Sequence, residues 1–219
     1  MVLLVEMLLL VYKKVSTMQN NNSHNRIFNP YIIEERQLNI TQLDVYSRLM
    51  MDRILFLSGE VNSDSMDTLV AQMLFLDSIS HDPIHFYINS GGGECYSGLE
   101  LVSVMRYIKS PVYTTVLGVA ASMGAVIASN GEKGHRRALP YSRFMIHQPS
   151  SGVGYSTFRD QEIHLKEMER LKQDLYQVLA ENSGNSIEDI EKLCDRDNWM
   201  KASEAIQMGF LDTIVERKD

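Results

Sequence analysis

Cysteine is scarce in this sequence: Cys95 and Cys194 are the only two among 219 residues. Two thiols can form neither a disulfide framework nor a four-thiolate zinc site. We interpret both as small packing residues of a protein in a reducing compartment, and we therefore expect a cytoplasmic location. The six histidines form no ligand motif, since Pro83 opposes a helix that would pair His81 with His85. We therefore expect neither a metal nor a cofactor.

An excess of positive charge is also missing. Lysine and arginine number 21 against 28 aspartates and glutamates, which gives a formal net charge of -7. The longest basic cluster is Arg136–Arg137, with His135 beside it. Nucleic-acid binding requires a concentrated basic surface, so we expect no nucleic-acid partner. The hydrophobic content of 44% and the charged content of 22% are typical of a globular protein.

A long uninterrupted hydrophobic run is absent as well. The most apolar stretch, residues 1–12, is too short for a spanning helix and contains Glu6, so we expect no membrane association. No basic residue precedes this stretch as in a signal peptide, and Lys13 and Lys14 follow it instead. We expect residues 1–30 to be a removable leader or a flexible segment, with Met18 as a candidate start.

Alternating strands and helices are predicted after residue 31, in a single domain over residues 31–219. Apolar runs predict strands at residues 53–57, 84–88 and 112–117. The helix after the first strand has Ser63 or Asp64 as its cap and ends near Pro83, and a small-residue helix begins near Ala121. This alternation indicates an α/β fold with largely parallel strands, whose carboxyl ends are the usual ligand-binding edge.

A long amphipathic helix is predicted over residues 156–181. One face is apolar and the rest is charged, so the helix packs either on its own domain or on another subunit; the pattern favours neither. Gly184 suits its C-terminal end. Ser186 and Asp189 then form a capping-box pattern, with aspartate in place of glutamate, for a further helix.

The strongest local signal for chemistry is Ser122, within Ala120-Ala121-Ser122-Met123-Gly124-Ala125. A serine at a strand-to-helix turn has free backbone N–H groups beside it, and such groups can stabilise the oxyanion formed when a carbonyl is attacked. The alternative is close packing of small residues, and the G-x-S-x-G pattern of other hydrolases is absent.

Each of three further features, taken alone, has two interpretations. The run Gly91-Gly92-Gly93 permits close approach of a ligand backbone, or it forms a plain turn. His147 lies at the end of an apolar strand, where it is either a general base or a hydrogen-bonded structural residue. Asp197 orients that histidine or belongs to a turn.

Taken together, these residues resemble the ClpP family. The matching stretches are Tyr87-Ile88-Asn89-Ser90-Gly91-Gly92-Gly93, Ala120-Ala121-Ser122-Met123-Gly124-Ala125, Arg143-Phe144-Met145-Ile146-His147-Gln148-Pro149 and Asp195-Arg196-Asp197-Asn198-Trp199-Met200. The resemblance runs from about residue 46 onward and implies a ClpP/crotonase-like spiral of β-β-α units with a long handle helix. It implies a serine endopeptidase that degrades unfolded proteins, with a Ser122–His147–Asp197 triad. Gly93 and Met123 would donate their backbone N–H groups to the oxyanion.

The same resemblance implies partners. Family members form a homo-oligomer of two stacked heptameric rings, a tetradecamer, and receive unfolded chains from a hexameric AAA+ ATPase. Gly152-Val153-Gly154 and the long helix match the segment through which the rings meet. Tyr87 and Tyr107 match the ATPase-docking pocket, with His85 at a position that is often aromatic. Residues 32–46 match the pore-lining loops.

The sequence also departs from the family pattern. The family usually has proline at the position of Gly91, which indicates a looser oxyanion loop here. Residues 150–161 are one residue longer than in common relatives, which affects the substrate groove and the ring contact. These departures suggest a divergent paralogue. Two alternatives therefore stay open: a weakly active or non-catalytic structural subunit of a mixed ring, and a crotonase-type acyl-CoA enzyme.

Overall fold

The computed structural model describes residues 31–36, 39–150 and 157–216 and divides the chain into two units, Met1–Val45 and Tyr46–Asp219. In the first unit, strands β1 (Tyr31–Arg36) and β2 (Asn39–Asp44) pair antiparallel. The leader predicted over residues 1–30 and the glycine-rich residues 152–154 lie outside the described residues. A pore-lining role for residues 32–46 stays a prediction.

The remaining elements alternate as the sequence predicts. The strands are β3 (Ile54–Val61), β4 (Ile84–Gly93), β5 (Val112–Ala121), β6 (Arg137–Ala138), β7 (Arg143–Ile146), β8 (Asn198–Lys201) and β9 (Thr213–Ile214). The helices are α1 (Val45–Met51), α2 (Ser63–Ile79), α3 (Cys95–Tyr107), α4 (Met123–Ser129), α5 (Phe158–Ser183), α6 (Ile187–Leu193) and α7 (Ala202–Gln207).

One seven-stranded sheet organises the second unit. Its main path runs β3-β4-β5-β6-β9 with parallel pairing throughout, and β7 also pairs with β5 in parallel. Strand β8 pairs antiparallel with β7. The predicted α/β fold with largely parallel strands is therefore confirmed, and the long helix α5 is part of it.

The core lies on one face of this sheet. Along β4, the fully buried Ile84, Phe86 and Ile88 alternate with half-exposed neighbours, as expected when one strand face is packed. Helix α2 packs its apolar side into the same core; its buried residues are Met66, Leu69, Met73 and Leu76. Burying each such side chain stabilises the fold by about 1.5–3 kcal/mol relative to leaving it exposed.

Several element ends differ from the sequence prediction. Asn62, not Ser63 or Asp64, caps α2: its side chain accepts a hydrogen bond from the Ser65 N–H, and the Ser65 hydroxyl accepts one from the Asn62 N–H. Strands β4 and β5 extend beyond residues 88 and 117 because pairing continues through Ser90, Gly92 and Gly93 in β4 and through residues 119–121 in β5. Gly184, in the left-handed conformation, ends α5 as predicted, and the predicted Ser186 cap of α6 is confirmed.

Candidate active site

Ser122 stands between the end of β5 and the start of α4. Its backbone has φ 54° and ψ -126°. Among the described non-glycine residues, only Arg53 also has a positive φ. Such a backbone is strained by about 1–3 kcal/mol and persists only where the surroundings hold it. The Ser122 N–H donates a hydrogen bond to the Met145 carbonyl at 2.9 Å, so β7 fixes the turn. The predicted strand-to-helix turn is therefore confirmed, and it is a tight one.

His147 follows β7 directly and lies beside this serine. Its Nε2 is 2.9 Å from Ser122 Oγ, and its Nδ1 is 3.1 Å from Asp197 Oδ1. A proton on Nδ1, facing the carboxylate, leaves Nε2 free to accept the hydroxyl proton of the serine. The structure thus brings together the three side chains that the sequence named from three separate segments.

The register of two short strands places the aspartate. Strands β7 and β8 pair antiparallel, with Ile146 at the end of β7 opposite Asn198 at the start of β8. The residue that follows β7 therefore faces the residue that precedes β8. These two residues are His147 and Asp197. The exposed fraction is 25% for the His147 side chain and 62% for the Asp197 side chain, so water screens the charge of Asp197.

The glycine run is the end of strand β4 rather than a separate loop. Gly92 has φ +92°, and a Cβ there would lie 2.6 Å from the Ala121 carbonyl oxygen and 2.7 Å from Ser122 Cβ. Gly93 has φ +150°, and a Cβ there would lie 2.1 Å from the Val61 carbonyl oxygen. Both positions therefore require glycine, and the backbone of β4 touches the serine turn through Gly92.

The two residues expected to form an oxyanion hole flank this contact. Met123 is the first residue of α4, so its N–H has no acceptor within that helix. Its nitrogen would be 2.9 Å from a Cβ on Gly92, the residue that precedes Gly93. The structure therefore places Met123 and Gly93 on segments that meet beside Ser122. Their role as oxyanion donors stays a prediction.

Replacing Gly92 by alanine is expected to lower the peptidase activity that the family resemblance implies by at least about 10²-fold, because the new methyl group displaces the Ser122 turn. The matched control is Gly91→Ala, since a Cβ at Gly91 meets nothing within 4 Å. Steady-state hydrolysis of a short fluorogenic peptide measures both variants. Equal activity of the two alanine variants would contradict the close contact at Gly92.

A small apolar pocket opens beside the serine and the histidine. Its lining residues are Cys95, Ser122, Met123, Val126, Ile146, His147, Pro149, Leu175, Tyr176 and Leu179. The cavity volume of about 20 Å³ has room for roughly one water molecule. Burial raises the pKa of the Cys95 thiol and raises that of Tyr176 to about 12, so both stay neutral. The lining of the pocket is therefore mostly apolar and carries no charge from Cys95 or Tyr176.

Sequence reasoning did not assign Cys95 or Tyr176 to this pocket. Cys95 was interpreted as a packing residue, and Tyr176 was not singled out. The available signal for Tyr176 was its position between Leu175 and Leu179 on the buried side of α5. For Cys95, the signal was its place two residues after the glycine run.

The predicted ATPase-docking residues lie apart from the serine. Tyr87 is half-buried on β4, and its ring stacks on that of Phe56 with centroids 5.4 Å apart. Tyr107 ends α3 and is 81% exposed. Within the described ranges, no ring contact joins Tyr107 to Tyr87.

The described residues contain neither a metal-binding cluster nor a membrane-spanning helix. Among them, no group of three or more histidine, cysteine, aspartate and glutamate side chains is placed to hold a metal ion. No helix in the described part of the chain combines the length and the apolar character needed to cross a membrane.

Comparison with known proteins adds a family to this geometry. A family model described as Clp protease matches residues 36–218. The chain is 49% identical over 193 residues to an ATP-dependent Clp protease proteolytic subunit of Bacteroides fragilis, covering 87% of this chain and 92% of the relative. Proteins of the same name from Porphyromonas gingivalis (47% over 191 residues; 86% and 85% covered) and Streptococcus sanguinis (43% over 192 residues; 87% and 98% covered) are also similar.

Proposed function

This chain belongs to the Clp protease family, and on that premise we propose that it is the serine peptidase subunit of a Clp complex fed by an ATPase. The observation that carries the proposal is the chain of hydrogen-bond distances from Ser122 through His147 to Asp197, of 2.9 and 3.1 Å. No feature of the described residues favours a structural subunit or an acyl-CoA enzyme. The substrates are unfolded proteins, which the complex cuts into short peptides.

The proposed chemistry is acyl transfer from a peptide to Ser122. The Oγ attacks the carbonyl carbon while its proton passes to His147 Nε2, and the Asp197 carboxylate stabilises the resulting imidazolium. The N–H groups of Gly93 and Met123 stabilise the negative oxygen. The imidazolium then gives its proton to the leaving amine, and a water molecule, activated in the same way, hydrolyses the acyl-enzyme.

We further propose that the chain assembles into two stacked heptameric rings through a peptidase domain over residues 31–219. Support comes from the first half of α5, where large apolar side chains face solvent: Phe158 is 77% exposed, Ile163 58% and Leu165 71%. A row of such side chains on one helix is typical of a protein interface. Tyr87 and Tyr107 form part of the surface that docks the ATPase.

We also propose a cytoplasmic location. Both cysteines are free thiols, as in proteins of reducing compartments.

Labelling with a fluorophosphonate tests the proposal directly. The assembled protein is expected to gain one adduct per chain by intact mass, and peptide mapping is expected to place it on Ser122. Prior denaturation of the sample is the control, since it removes the activation by His147. A folded, assembled protein that gains no adduct, alone or together with an active paralogue, would favour the structural-subunit alternative instead.

Asp197→Asn is expected to lower kcat by about 10²–10³-fold with little change in KM. An amide cannot stabilise the imidazolium, but the exposure of Asp197 makes the loss smaller than the roughly 10⁴-fold typical of a buried triad aspartate. Asp195→Asn is the matched control, because its carboxylate is also exposed and its ion-pair partner is the adjacent Arg196. If both variants retained full kcat, Asp197 would have no part in the chemistry.

A further inference from the structure

Four side chains on the face of the sheet away from the core form what we call the basic cluster: His85, Tyr113, His135 and Arg137. His85 on β4 lies directly opposite Tyr113 on β5. Phe86, the next residue, is fully buried, so the alternation of a strand directs His85 to the opposite face. All four cluster residues are half-buried and remain in contact with solvent.

The tyrosine ring holds the cluster together. The His135 ring stacks on Tyr113 with centroids 3.8 Å apart and planes 4° from parallel. The His85 ring meets Tyr113 edge-on at 5.6 Å, and the Arg137 guanidinium carbon lies 5.9 Å from the same ring centre. Arg137 Nη2 is also 3.3 Å from His135 Nδ1. Three side chains that can carry positive charge are thus fixed around one aromatic ring.

This positive charge is not neutralised within the described part of the chain. The neighbouring Arg136 pairs with Asp212, whereas no carboxylate there lies within 4.0 Å of Arg137, His85 or His135. Burial lowers the pKa of His85, and the nearby Arg137 and His135 lower it further, so His85 is neutral at neutral pH and Arg137 supplies the permanent positive charge of the cluster. A local positive patch on a chain of net charge -7 is suited to an anionic group of a partner.

We propose that the basic cluster extends the ATPase-docking surface and binds a carboxylate on the docking segment of the ATPase. The inference rests on the proposed function, because it takes the surface around Tyr87 as the docking site. Tyr87 lies two residues after His85 on the same strand face and stacks on Phe56, so an apolar surface and the basic cluster are continuous. The flat guanidinium of Arg137 presents paired donors to a carboxylate, while the aromatic rings accept its apolar neighbours.

The test uses the assembled protein and the Clp ATPase of the same organism. The concentration of ATPase that gives half-maximal degradation of an unfolded protein is measured for wild type and Arg137→Gln. We expect the variant to need roughly 5- to 30-fold more ATPase, and its requirement to depend less on salt between low and physiological ionic strength. Hydrolysis of short peptides without the ATPase is expected to stay unchanged. Arg137→Lys, which keeps the charge, is expected to retain part of the affinity.

Three comparisons decide the outcome. Lys109→Gln removes an exposed positive charge outside the basic cluster, so an equal loss in that variant would overturn the proposal in favour of general electrostatics. If Tyr87→Ala abolishes ATPase-dependent degradation while Arg137→Gln behaves as wild type, the basic cluster is not part of the docking surface and the proposed function stands. If wild type itself shows no ATPase-dependent degradation although short peptides are cut, the ATPase-fed function fails instead.

Discussion

The Ser122→Ala variant is expected to lose hydrolysis of short peptides by about 10⁶-fold, the scale at which serine peptidases lose turnover without their nucleophile. Alanine has no group that can form the acyl-enzyme. It also keeps a Cβ in the same strained backbone, so the fold around it should not change. The measurement is the steady-state rate for a fluorogenic peptide, with a covalent inhibitor used to correct for contaminating peptidase.

Assembly must be followed in the same samples. Among the described residues, His147 Nε2 is the only side-chain partner of Ser122 Oγ, so removing the hydroxyl should leave the assembly intact by native mass spectrometry. Ser103→Ala is the control: Ser103 is exposed on α3, and its hydroxyl donates a hydrogen bond to the Leu99 carbonyl of the same helix. Intact assembly with substantial activity in Ser122→Ala would show that another group performs the attack.

Replacing Arg136 by methionine is expected to lower the free energy of unfolding by about 3 kcal/mol, since it leaves the largely buried Asp212 carboxylate without its charged partner and with only the backbone N–H groups of Gly134 and residue 136 as donors. Arg136 is almost fully buried and donates to both oxygens of Asp212, with Nε 2.9 Å from Oδ2 and Nη2 2.6 Å from Oδ1. Its Nη1 also donates to the Asn182 carbonyl at 2.6 Å. One side chain thereby ties β6 to the C-terminal end of α5 and to the segment before β9.

The loss of unfolding free energy in Arg136→Met should become smaller as the pH falls. Burial raises the pKa of Asp212, but hydrogen bonds and charge from Arg136 outweigh it and lower the pKa below 3.8. A lowered carboxyl pKa stabilises the folded state at higher pH, and this contribution disappears as the pH falls through the folded pKa. The stability difference between wild type and Arg136→Met should therefore be full at neutral pH and narrow as the pH approaches and passes below 3.8.

Chemical unfolding followed by circular dichroism measures this difference. The control is Arg106→Met, because Arg106 forms an ion pair with Glu181 in which both side chains are more than two-fifths exposed. Such a surface pair contributes no more than about 1 kcal/mol. Similar losses in the two variants would contradict the structural role of the buried pair.

The sequence predicted elements well where apolar runs ended at glycine, proline or a capping residue. The Ser186 cap and the Gly184 terminus are local features, so single-sequence reasoning found them. The cap of α2 was wrong by one residue because Asn62, Ser63 and Asp64 all have capping side chains. Only the contact between Asn62 and Ser65 distinguishes them.

Long-range contacts were less predictable. Arg136 and Arg137 are adjacent arginines in the sequence, yet the structure buries Arg136 in an ion pair and leaves Arg137 beside Tyr113. That difference depends on Asp212, which lies 76 residues away from Arg136. The triad residues were named through the family resemblance, since nothing local shows that Asp197 faces His147. Their spatial relation comes from the antiparallel register of β7 and β8.

That register also determines when a growing chain can begin to cut proteins. Ser122 and His147 are synthesised well before Asp197, and the aspartate reaches the histidine only once β8 has paired with β7. A chain still emerging from the ribosome therefore carries a nucleophile and a base without the carboxylate that orients them. Until β8 has folded, we therefore expect any hydrolysis by the new chain to be as slow as in the Asp197→Asn variant.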